Sequence, residues 1–315
     1  MVGHTATSRD NKDSLYYYPF NQTLFYNTVE GVGLNLRVRY STTSDDFKTL
    51  SISPAVRYGF ANKLFSANIH SSYIYDPFNA GQFFFNFGND VLDLNNVGTR
   101  SLFFNTLSTL LSTNNYVKYY RSEFGEGGYQ RELSNGILWT SYLSYARRTQ
   151  LYNISYNHIF KAKGREFTSN NPLAPEGTPA DDRSFLFPQS KALTFSTSVK
   201  FTFDQHYITR PTGKVYLPSA YPTLTVNYRK AIPNVFGSDA DYDFASLDIS
   251  KDKIRVGLMG YSSFKITGGT FFTKKALYFM DYYHFLGNQV LLSILLMWVV
   301  STFCHFTPLV PIALF

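Results

Sequence analysis

The chain has 315 residues, of which 16% are charged and 18% aromatic, and its formal net charge is +7. The mean hydropathy of −0.17 excludes a bundle of transmembrane helices, and the absence of a basic run argues against a nucleic-acid partner. One cysteine, Cys304, excludes an internal disulfide framework and a multi-cysteine metal site.

The N-terminal segment, residues 1–26, begins MVGHTATSRDNKDS and contains no apolar stretch of the kind that a signal peptide requires. We interpret it as a lead-in to the main domain. A protein that acts beyond the inner membrane would then take its export signal from residues upstream of this start, and without such residues it would be cytosolic.

The segment EGVGLNLRVRYS, residues 30–41, alternates apolar residues with small, polar or charged ones. This pattern predicts a strand, but a soluble core and a lipid bilayer would both produce it. The alternation recurs in SISPAVRYGF, LFSANIHSSYIY, GQFFFNFGND, GILWTSYLSYARR, ALTFSTSVKFTFD, TLTVNYRK, SLDIS, KIRVGLMGYSSF and KITGGTFF, which predicts nine or ten strands. Most runs have about 8–12 residues, the length of a tilted membrane-crossing strand, whereas soluble strands average about 5–6.

Two segments between these runs differ in character. Residues 101–121 carry Leu107, Leu110, Leu111 and Val117 at helix-like spacing, which indicates either a helix inside or beside a barrel or a poorly alternating strand pair. Residues 163–190 form a long polar loop that contains NNPLAPEGTPADDR. Long loops in outer-membrane barrels are extracellular, so we expect this loop to be exposed.

The tail, residues 290–315, has no charged residue and contains a continuous apolar run close to the length of a membrane helix. One interpretation is a C-terminal transmembrane helix. The other is a reading-frame error, because from Ile294 a neighbouring frame can be written as FINVGGFNFLPLYTFSTNSFI, which restores the alternation. We favour the frame error, since a barrel has no use for a helical span after its last strand.

No motif predicts catalysis or a resident cofactor. The six histidines do not form HExxH or another short ligand spacing, and no GxSxG string occurs, so we expect a non-enzymatic protein. Asp239, Asp241 and Asp243 alternate in GSDADYDFASLD and are weak candidates for a Ca²⁺ site. An acidic turn that leads into a strand is the interpretation that we prefer, because the segment lacks the glycine and terminal glutamate of an EF-hand loop.

Arginines recur inside the predicted strands. An arginine on a lipid-facing surface costs about 2–4 kcal/mol at the middle of the membrane, so we expect these side chains at the lumen or the rims. There they could pair with acids, bind lipid phosphates or set anion selectivity, and pairing is the hypothesis that we prefer. The five candidates are Arg37, Arg39, Arg57, Arg229 and Arg255, and the same argument applies to Arg147 and Arg148.

Several strings occur together and in a specific order: NTVEGVGLNLRVRYS, SPAVRYGFANKLFSA, NNYVKYYR, RELSNGILWTSYLSYARR, SNNPLAP, YPTLTVNYRKAI, GSDADYDFASLDIS and YHFLGNQ. In this the chain resembles the C-terminal barrel domain, of unknown function, in Gram-negative outer-membrane proteins titled carboxypeptidase-like regulatory domain-containing protein. That title refers to a small Ig-like accessory domain, which lies outside this chain, and not to a peptidase site.

The resemblance covers residues 27–289 and implies an all-β fold, namely part of an antiparallel transmembrane β-barrel followed by the anomalous apolar tail. It implies a fragment truncated at both ends. The expected protein is a non-enzymatic component of the outer membrane that contacts lipid and other envelope proteins and serves transport or outer-membrane assembly. Two alternatives stay open, a soluble β-sandwich binding protein and a barrel-embedded hydrolase.

Overall fold

The computed structural model describes residues 3–10, 12–94, 102–112, 115, 117–156, 167–172, 174, 178–183, 188–256 and 260–282. The described chain is mostly antiparallel β, which confirms the predicted all-β class. The apolar tail, with both of its interpretations, and much of the polar loop predicted at residues 163–190 lie outside the described residues.

The first half of the chain contains seven strands and two helices. They are β1 (His4–Thr7), β2 (Asp13–Tyr17), α1 (Phe20–Thr23), β3 (Leu24–Asn27), β4 (Gly31–Thr43), β5 (Thr49–Gly59), β6 (Phe65–Asp76), β7 (Gly81–Asp93) and α2 (Leu102–Ser112). The helix α2 confirms the helical interpretation of the first part of residues 101–121. None of the described helices combines the length and the apolar character needed to cross a membrane.

The second half contains the remaining strands. They are β8 (Tyr119–Ser134), β9 (Ile137–Gln150), β10 (Ser190–Thr202), β11 (Tyr207–Arg210), β12 (Gly213–Tyr216), β13 (Thr223–Ala231), β14 (Asp241–Val256) and β15 (Gly260–Ala276). Two short 3₁₀ turns, Val235–Gly237 and Phe279–Asp281, flank the last long strands.

One antiparallel sheet contains nearly all of these strands, in the order β1-β2-β4-β5-β6-β7-β8-β9-β10-β13-β14-β15, with β3 paired to the start of β4. The hairpin β11–β12 is a separate two-stranded sheet. Within the described residues β1 and β15 end the path and do not pair with each other. The structure therefore shows the strand meander, and closure into a barrel stays a prediction.

The sheet has two chemically opposite faces, because side chains alternate along each strand and the register is continuous across neighbouring strands. We call the first the apolar face. It comprises Leu36, Val56, Phe65, Phe85, Phe87, Leu143, Phe195, Val226, Leu247 and Ile266, all of which are exposed. The opposite, polar face carries Arg37, Arg39, Ser53, Arg57, Asn68, His70, Asn86, Glu126, Ser144, Ser196, Asn227, Arg229 and Asp248.

The apolar face has no second sheet over it in the part of the chain that the structure describes. Phe85 is 55% exposed and Phe87 is 59% exposed, although both lie on a central strand. In a soluble sandwich the apolar faces of two sheets meet at about 10 Å and bury one another. The described strands do not form such an interior, so the arrangement differs from that of a soluble β-sandwich.

The strand β8 was absent from the strands predicted by alternation, and glycines explain why. Gly125 and Gly127 occupy positions on the apolar face, where other strands carry large side chains. The ring of Phe85 lies 3.4 Å from where a Cβ of Gly127 would be, so the neighbouring phenylalanine covers this position. The apolar surface therefore extends over Gly127, although the sequence of β8 does not alternate.

The two ends of the sheet differ. At one end, which we call the loop end, β4 begins at Gly31 and β5 ends at Gly59. The long connections between β7 and β8 and between β9 and β10 also start and finish there. At the other end, the turn end, most strands are joined by short turns, and the β11–β12 hairpin contacts the turn after β6 through Tyr207 and Phe78.

Candidate functional site

The polar face is covered at the loop end by segments that fold back onto it. They are residues 27–30, 115, 117–119, 151–156, 167–170 and 279–281, and we call their buried contacts the loop-end network. Thr28 lies at its centre: its Oγ1 donates to Asn153 Oδ1 at 2.6 Å and accepts from Asn115 Nδ2 at 2.9 Å. All three residues are at most 2% exposed, so the closed end is a packed polar core.

The first charged centre of this network is the ion pair between Glu30 and Arg57. Arg57 Nε donates to Glu30 Oε1 at 2.8 Å, and Nη2 donates to Oε2 of the same carboxylate. The Arg57 side chain is 8% exposed and that of Glu30 1%. Asp90 Oδ1 lies 3.9 Å from Arg57 Nη1, and the ring of Phe25 lies 4.5 Å from the guanidinium carbon.

The local sequence NTVEG places Glu30. Asn27 Oδ1 accepts hydrogen bonds from the backbone N–H groups of Val29, at 2.9 Å, and Glu30, at 2.8 Å. This Asx turn between β3 and β4 is a common use of asparagine. Asn27 Nδ2 also donates to Glu30 Oε2 at 2.9 Å, and Gly31 follows at φ +70°, which glycine adopts without strain. The turn therefore presents the carboxylate to the arginine of β5.

The second charged centre lies at the same end, on the strands β9, β13 and β14. Arg148 Nη1 donates to Asp281 Oδ1 at 2.8 Å, and the Tyr242 hydroxyl donates to the same oxygen at 3.1 Å. Arg229 Nη2 donates to the backbone carbonyl of Asp281 at 2.6 Å. Asp281 is 1% exposed, so the 3₁₀ turn that carries it is held on the polar face by two arginines and a tyrosine.

A buried ammonium group lies between the loops. Lys118 Nζ donates to the backbone carbonyl of Ser169 and to Thr168 Oγ1, the latter at 3.4 Å. Burial lowers the pKa of Lys118 to about 8, because the charged ammonium loses its hydration. Asn170 fixes the same segment, since its Oδ1 accepts from the backbone N–H of Tyr119 at 2.9 Å and its Nδ2 donates to the carbonyl of that residue at 2.8 Å.

The remainder of the polar face, toward the turn end, is more accessible. Asn86 Nδ2 donates to Glu126 Oε1 at 2.8 Å, and Asn227 Nδ2 approaches Asp248 Oδ2 at 3.3 Å. The imidazole of His70 stacks on the ring of Phe124. These half-buried amides, acids and aromatic rings form a polar surface that the loop-end network covers at one end.

The predicted arginines divide into groups. Arg37, Arg39, Arg57 and Arg229 all lie on the polar face, whereas Arg255 lies in β14 with a side chain outside the described part of the structure. Arg57 pairs with a carboxylate, as preferred from the sequence. For Arg37 and Arg39 the described residues provide no acidic partner within 4 Å.

Arg148 and Arg147 are adjacent and therefore lie on opposite faces, and Arg147 is 3.7 Å from Glu123 near the loop end.

The acidic segment gives each carboxylate a different partner. Asp243 accepts from Lys230 Nζ at 2.9 Å, Asp241 lies 3.7 Å from Lys275 Nζ, and Asp239 accepts a backbone N–H at 3.0 Å. Among the residues that the structure describes, no three His, Cys, Asp or Glu side chains are grouped as a metal site would require. The geometry thus gives no support to calcium binding at these three aspartates.

The residues that close the loop end were not identified from the sequence. Glu30, Asn153, Asn170 and Asp281 stand in loops, and no spacing rule connects them to their partners Arg57, Thr28, Tyr119 and Arg148, which lie 27 to 133 positions away. The sequence does contain one usable signal. Asn27 stands three residues before Glu30, and Glu30 directly precedes the glycine at which β4 begins. This pattern indicates an Asx turn that fixes the carboxylate.

A family model for the C-terminal domain of a family of unknown function, DUF5686, matches residues 1–299. The chain belongs to this family. The match confirms the expected domain of unknown function, and it spans the segment that we interpreted as a lead-in and the first part of the apolar tail. No curated protein and no solved structure matches the chain. Family membership therefore supplies no activity, and the function has to be argued from the two faces of the sheet.

Proposed function

We propose that this member of the family is a non-enzymatic outer-membrane β-barrel protein of the cell envelope that transports a polar solute. In this proposal the apolar face contacts lipid and the polar face lines the interior. The observation that carries the proposal is the inverted polarity of the sheet, with large apolar side chains exposed on one face and arginines, asparagines and serines partly buried on the other.

The amount of exposed apolar surface supports the proposal that lipid, and not water, surrounds the apolar face. Burying one Val, Leu, Ile or Phe side chain contributes about 1.5–3 kcal/mol relative to leaving it in water. The ten residues of the apolar face are each about half exposed. In water they would forgo on the order of 10 kcal/mol, which is comparable to the whole stability of a typical domain.

The arginines support the same orientation. Each arginine on a lipid-facing position would cost about 2–4 kcal/mol at the membrane midplane. Arg37, Arg39, Arg57 and Arg229 all lie on the face opposite to the apolar side chains. A membrane orientation with the polar face inside avoids this cost for all four residues at once.

The closed loop end favours gated transport over a permanently open pore. The loop-end network places a packed polar core across one end of the polar face, and long loops of outer-membrane barrels lie outside the cell. A solute would pass only when this network rearranges. Among the described residues the hydrolase alternative has no histidine hydrogen-bonded to a serine, so the geometry gives it no support.

Cell fractionation with two matched variants tests the membrane assignment. Phe85→Arg puts a charge on the apolar face, and Asn86→Arg puts the same charge on the polar face next to Glu126. We expect the unmodified protein in the outer-membrane fraction with heat-modifiable gel migration. Phe85→Arg should lose most of the folded band, and Asn86→Arg should keep it. Recovery of the unmodified protein in the soluble fraction without detergent, or equal behaviour of the two variants, would contradict the proposal.

Single-channel recording tests the transport role. Purified protein in planar bilayers should show brief, low-conductance openings, because the polar interior is closed at the loop end in its resting state. A large, permanently open conductance would contradict the closed end. Silence under all voltages and solute gradients would count against transport and leave an anchoring role in the envelope as the better account.

A further inference from the structure

Two arginines of the polar face are not used by the ion pairs that hold the fold together. Arg57 has Glu30 and Arg148 has Asp281, each within 2.8 Å of a carboxylate oxygen. Arg37 and Arg39, which we call the arginine pair, have no carboxylate within 4 Å among the described residues. They stand two positions apart on β4, so both side chains lie on the same face, roughly 7 Å apart along the strand.

The arginine pair is held in place by an aromatic ring. The guanidinium carbons of Arg37 and Arg39 lie 5.4 Å and 5.9 Å from the centre of the Tyr18 ring. Arg39 Nη2 donates to the Tyr18 hydroxyl at 2.9 Å, and its Nε approaches Ser53 Oγ at 3.4 Å. The Nε of Arg37 is buried and has no hydrogen-bond acceptor among the residues that the structure describes. An unsatisfied buried donor of a charged group is costly, and a bound anion would remove that cost.

The neighbouring strand leaves room beside the arginine pair. Ala55 lies directly opposite Arg37 in the register of β4 and β5, and Ser53 lies opposite Arg39. Both side chains are small, so the β5 residues directly opposite the arginine pair leave space over the guanidinium groups, whereas Tyr16 of β2 lies opposite Arg39 on the other side of β4. On the next strand, β6, His70 lies opposite Ser53 and is half-buried.

The local charge is not balanced. Arg37, Arg39 and Arg57 carry three positive charges, while Glu30 and Asp90 carry two negative charges when both are ionised. Both acids already contact Arg57, at 2.8 Å and 3.9 Å, and Asp90 also attracts Arg37 from beyond 4 Å, so one positive charge remains uncompensated among these five residues. Two planar guanidinium forks next to each other match an anion with several oxygens and about two negative charges, which is the chemistry of a phosphate group.

We propose that the arginine pair and Tyr18 form a binding site for a soluble phosphate-bearing anion. The anion is a soluble one because the site lies on the face opposite to the apolar face, away from the headgroups of any lipid that contacts that face. The site goes beyond the transport role proposed above and stands on the geometry of β4 itself. Only the choice of a soluble anion over a lipid headgroup rests on the proposed membrane orientation of the apolar face.

Calorimetric titration of the full chain in detergent with inorganic phosphate, at matched ionic strength, tests the site. We expect Arg37→Gln and Arg39→Gln each to weaken phosphate binding about tenfold or more, because each removes charge-assisted hydrogen bonds. Arg39→Lys should retain only part of the affinity, since a lysine keeps the charge but not the fork. Lys200→Gln is the matched control: it removes one positive charge from the same face of the distant strand β10 and should change binding less than twofold.

The outcomes decide the proposal in either direction. No binding of phosphate by the unmodified protein overturns it, as does equal weakening by Lys200→Gln and Arg39→Gln, which would show only a diffuse charge effect. Should Arg37→Gln fail to fold, as judged by gel migration, the exposed Arg39 still provides the comparison through its Gln and Lys variants. Nanodiscs of neutral and of anionic lipid separate the sources: equal phosphate affinity in both supports a soluble anion, and loss of binding in anionic lipid indicates a headgroup site and overturns it.

Discussion

Replacement of Arg57 by methionine is the sharpest perturbation of the loop end. The change removes the cation that two carboxylates share, the buried Glu30 through two hydrogen bonds and the partly buried Asp90 at 3.9 Å. Methionine keeps most of the apolar stem, so the packing against Phe25 is largely retained. The substitution removes the positive charge and the hydrogen-bond donors of Arg57. The carboxylates of Glu30 and Asp90 are then left without the cation that lies between them.

The magnitude follows from the burial and the distance of the pair. At 2.8 Å and an effective dielectric constant of about 20, one pair of unit charges attracts by about 6 kcal/mol. Part of this offsets the desolvation of two groups that are 8% and 1% exposed. Removing one partner of such a pair costs about 3–5 kcal/mol. Glu30→Gln should cost less than Arg57→Met, because Arg57 then still has Asp90 beside it.

Urea unfolding in lipid vesicles, followed by tryptophan fluorescence, measures these differences as a double-mutant cycle. We expect Arg57→Met to lose about 3–5 kcal/mol and the double variant with Glu30→Gln to lose less than the sum of the two single changes. A cost below about 1 kcal/mol for Arg57→Met, or strict additivity in the double variant, would refute the account of a tightly coupled buried pair.

Two further predictions concern a loop and a strand. Lys118 has a folded-state pKa of about 8 against 10.5 in the unfolded chain. The unfolded state therefore binds more protons in this window, and stability should rise between pH 8 and pH 10.5, by at most about 3 kcal/mol. In β8, a Cβ on Gly128 would lie 2.1 Å from the Phe84 ring, whereas a Cβ on Gly125 meets nothing within 4 Å. Gly128→Ala should cost about 1–3 kcal/mol, and Gly125→Ala should be neutral or stabilising.

Controls make both of these predictions decisive. Lys118→Met should remove the rise in stability between pH 8 and pH 10.5, and an unchanged rise in this variant would assign it to other groups. The two glycine variants serve as controls for each other, because both remove the same backbone freedom in one strand. Equal unfolding midpoints in urea would show that the ring of Phe84 is not packed against Gly128.

The sequence was informative where a side-chain pattern repeats along one strand. The alternation in β4, β5, β7 and β10 fixed both the strands and the face on which Arg37 and Arg57 lie, because the period of two is a property of the strand itself. The helix α2 was likewise visible in the spacing of its leucines. These are local signals, and the structure confirms them.

The rest depended on contacts between distant parts of the chain. The strand β8 carries glycines where the pattern expects large apolar residues, and only the neighbouring Phe85 shows why. The partners Asn153 and Asp281 lie outside the strands, and their contacts with Thr28 and Arg148 join residues 125 and 133 positions apart in the sequence. That Arg39 has no acidic partner within 4 Å in the described part of the chain also follows only from three-dimensional geometry, since acids are plentiful in the sequence.

The most direct test of the central claim compares the environments of two adjacent residues on one strand, and it is made on both β9 and β13. In a Cys304→Ser background, spin labels at Leu143 and Val226 report on the apolar face, and labels at Ser144 and Asn227 report on the polar face. In lipid vesicles the first two should be accessible to oxygen and shielded from a water-soluble nickel complex, and the second two should show the reverse. Shielding of Leu143 and Val226 from both reagents would place them in a dry protein interior and contradict the lipid-facing surface.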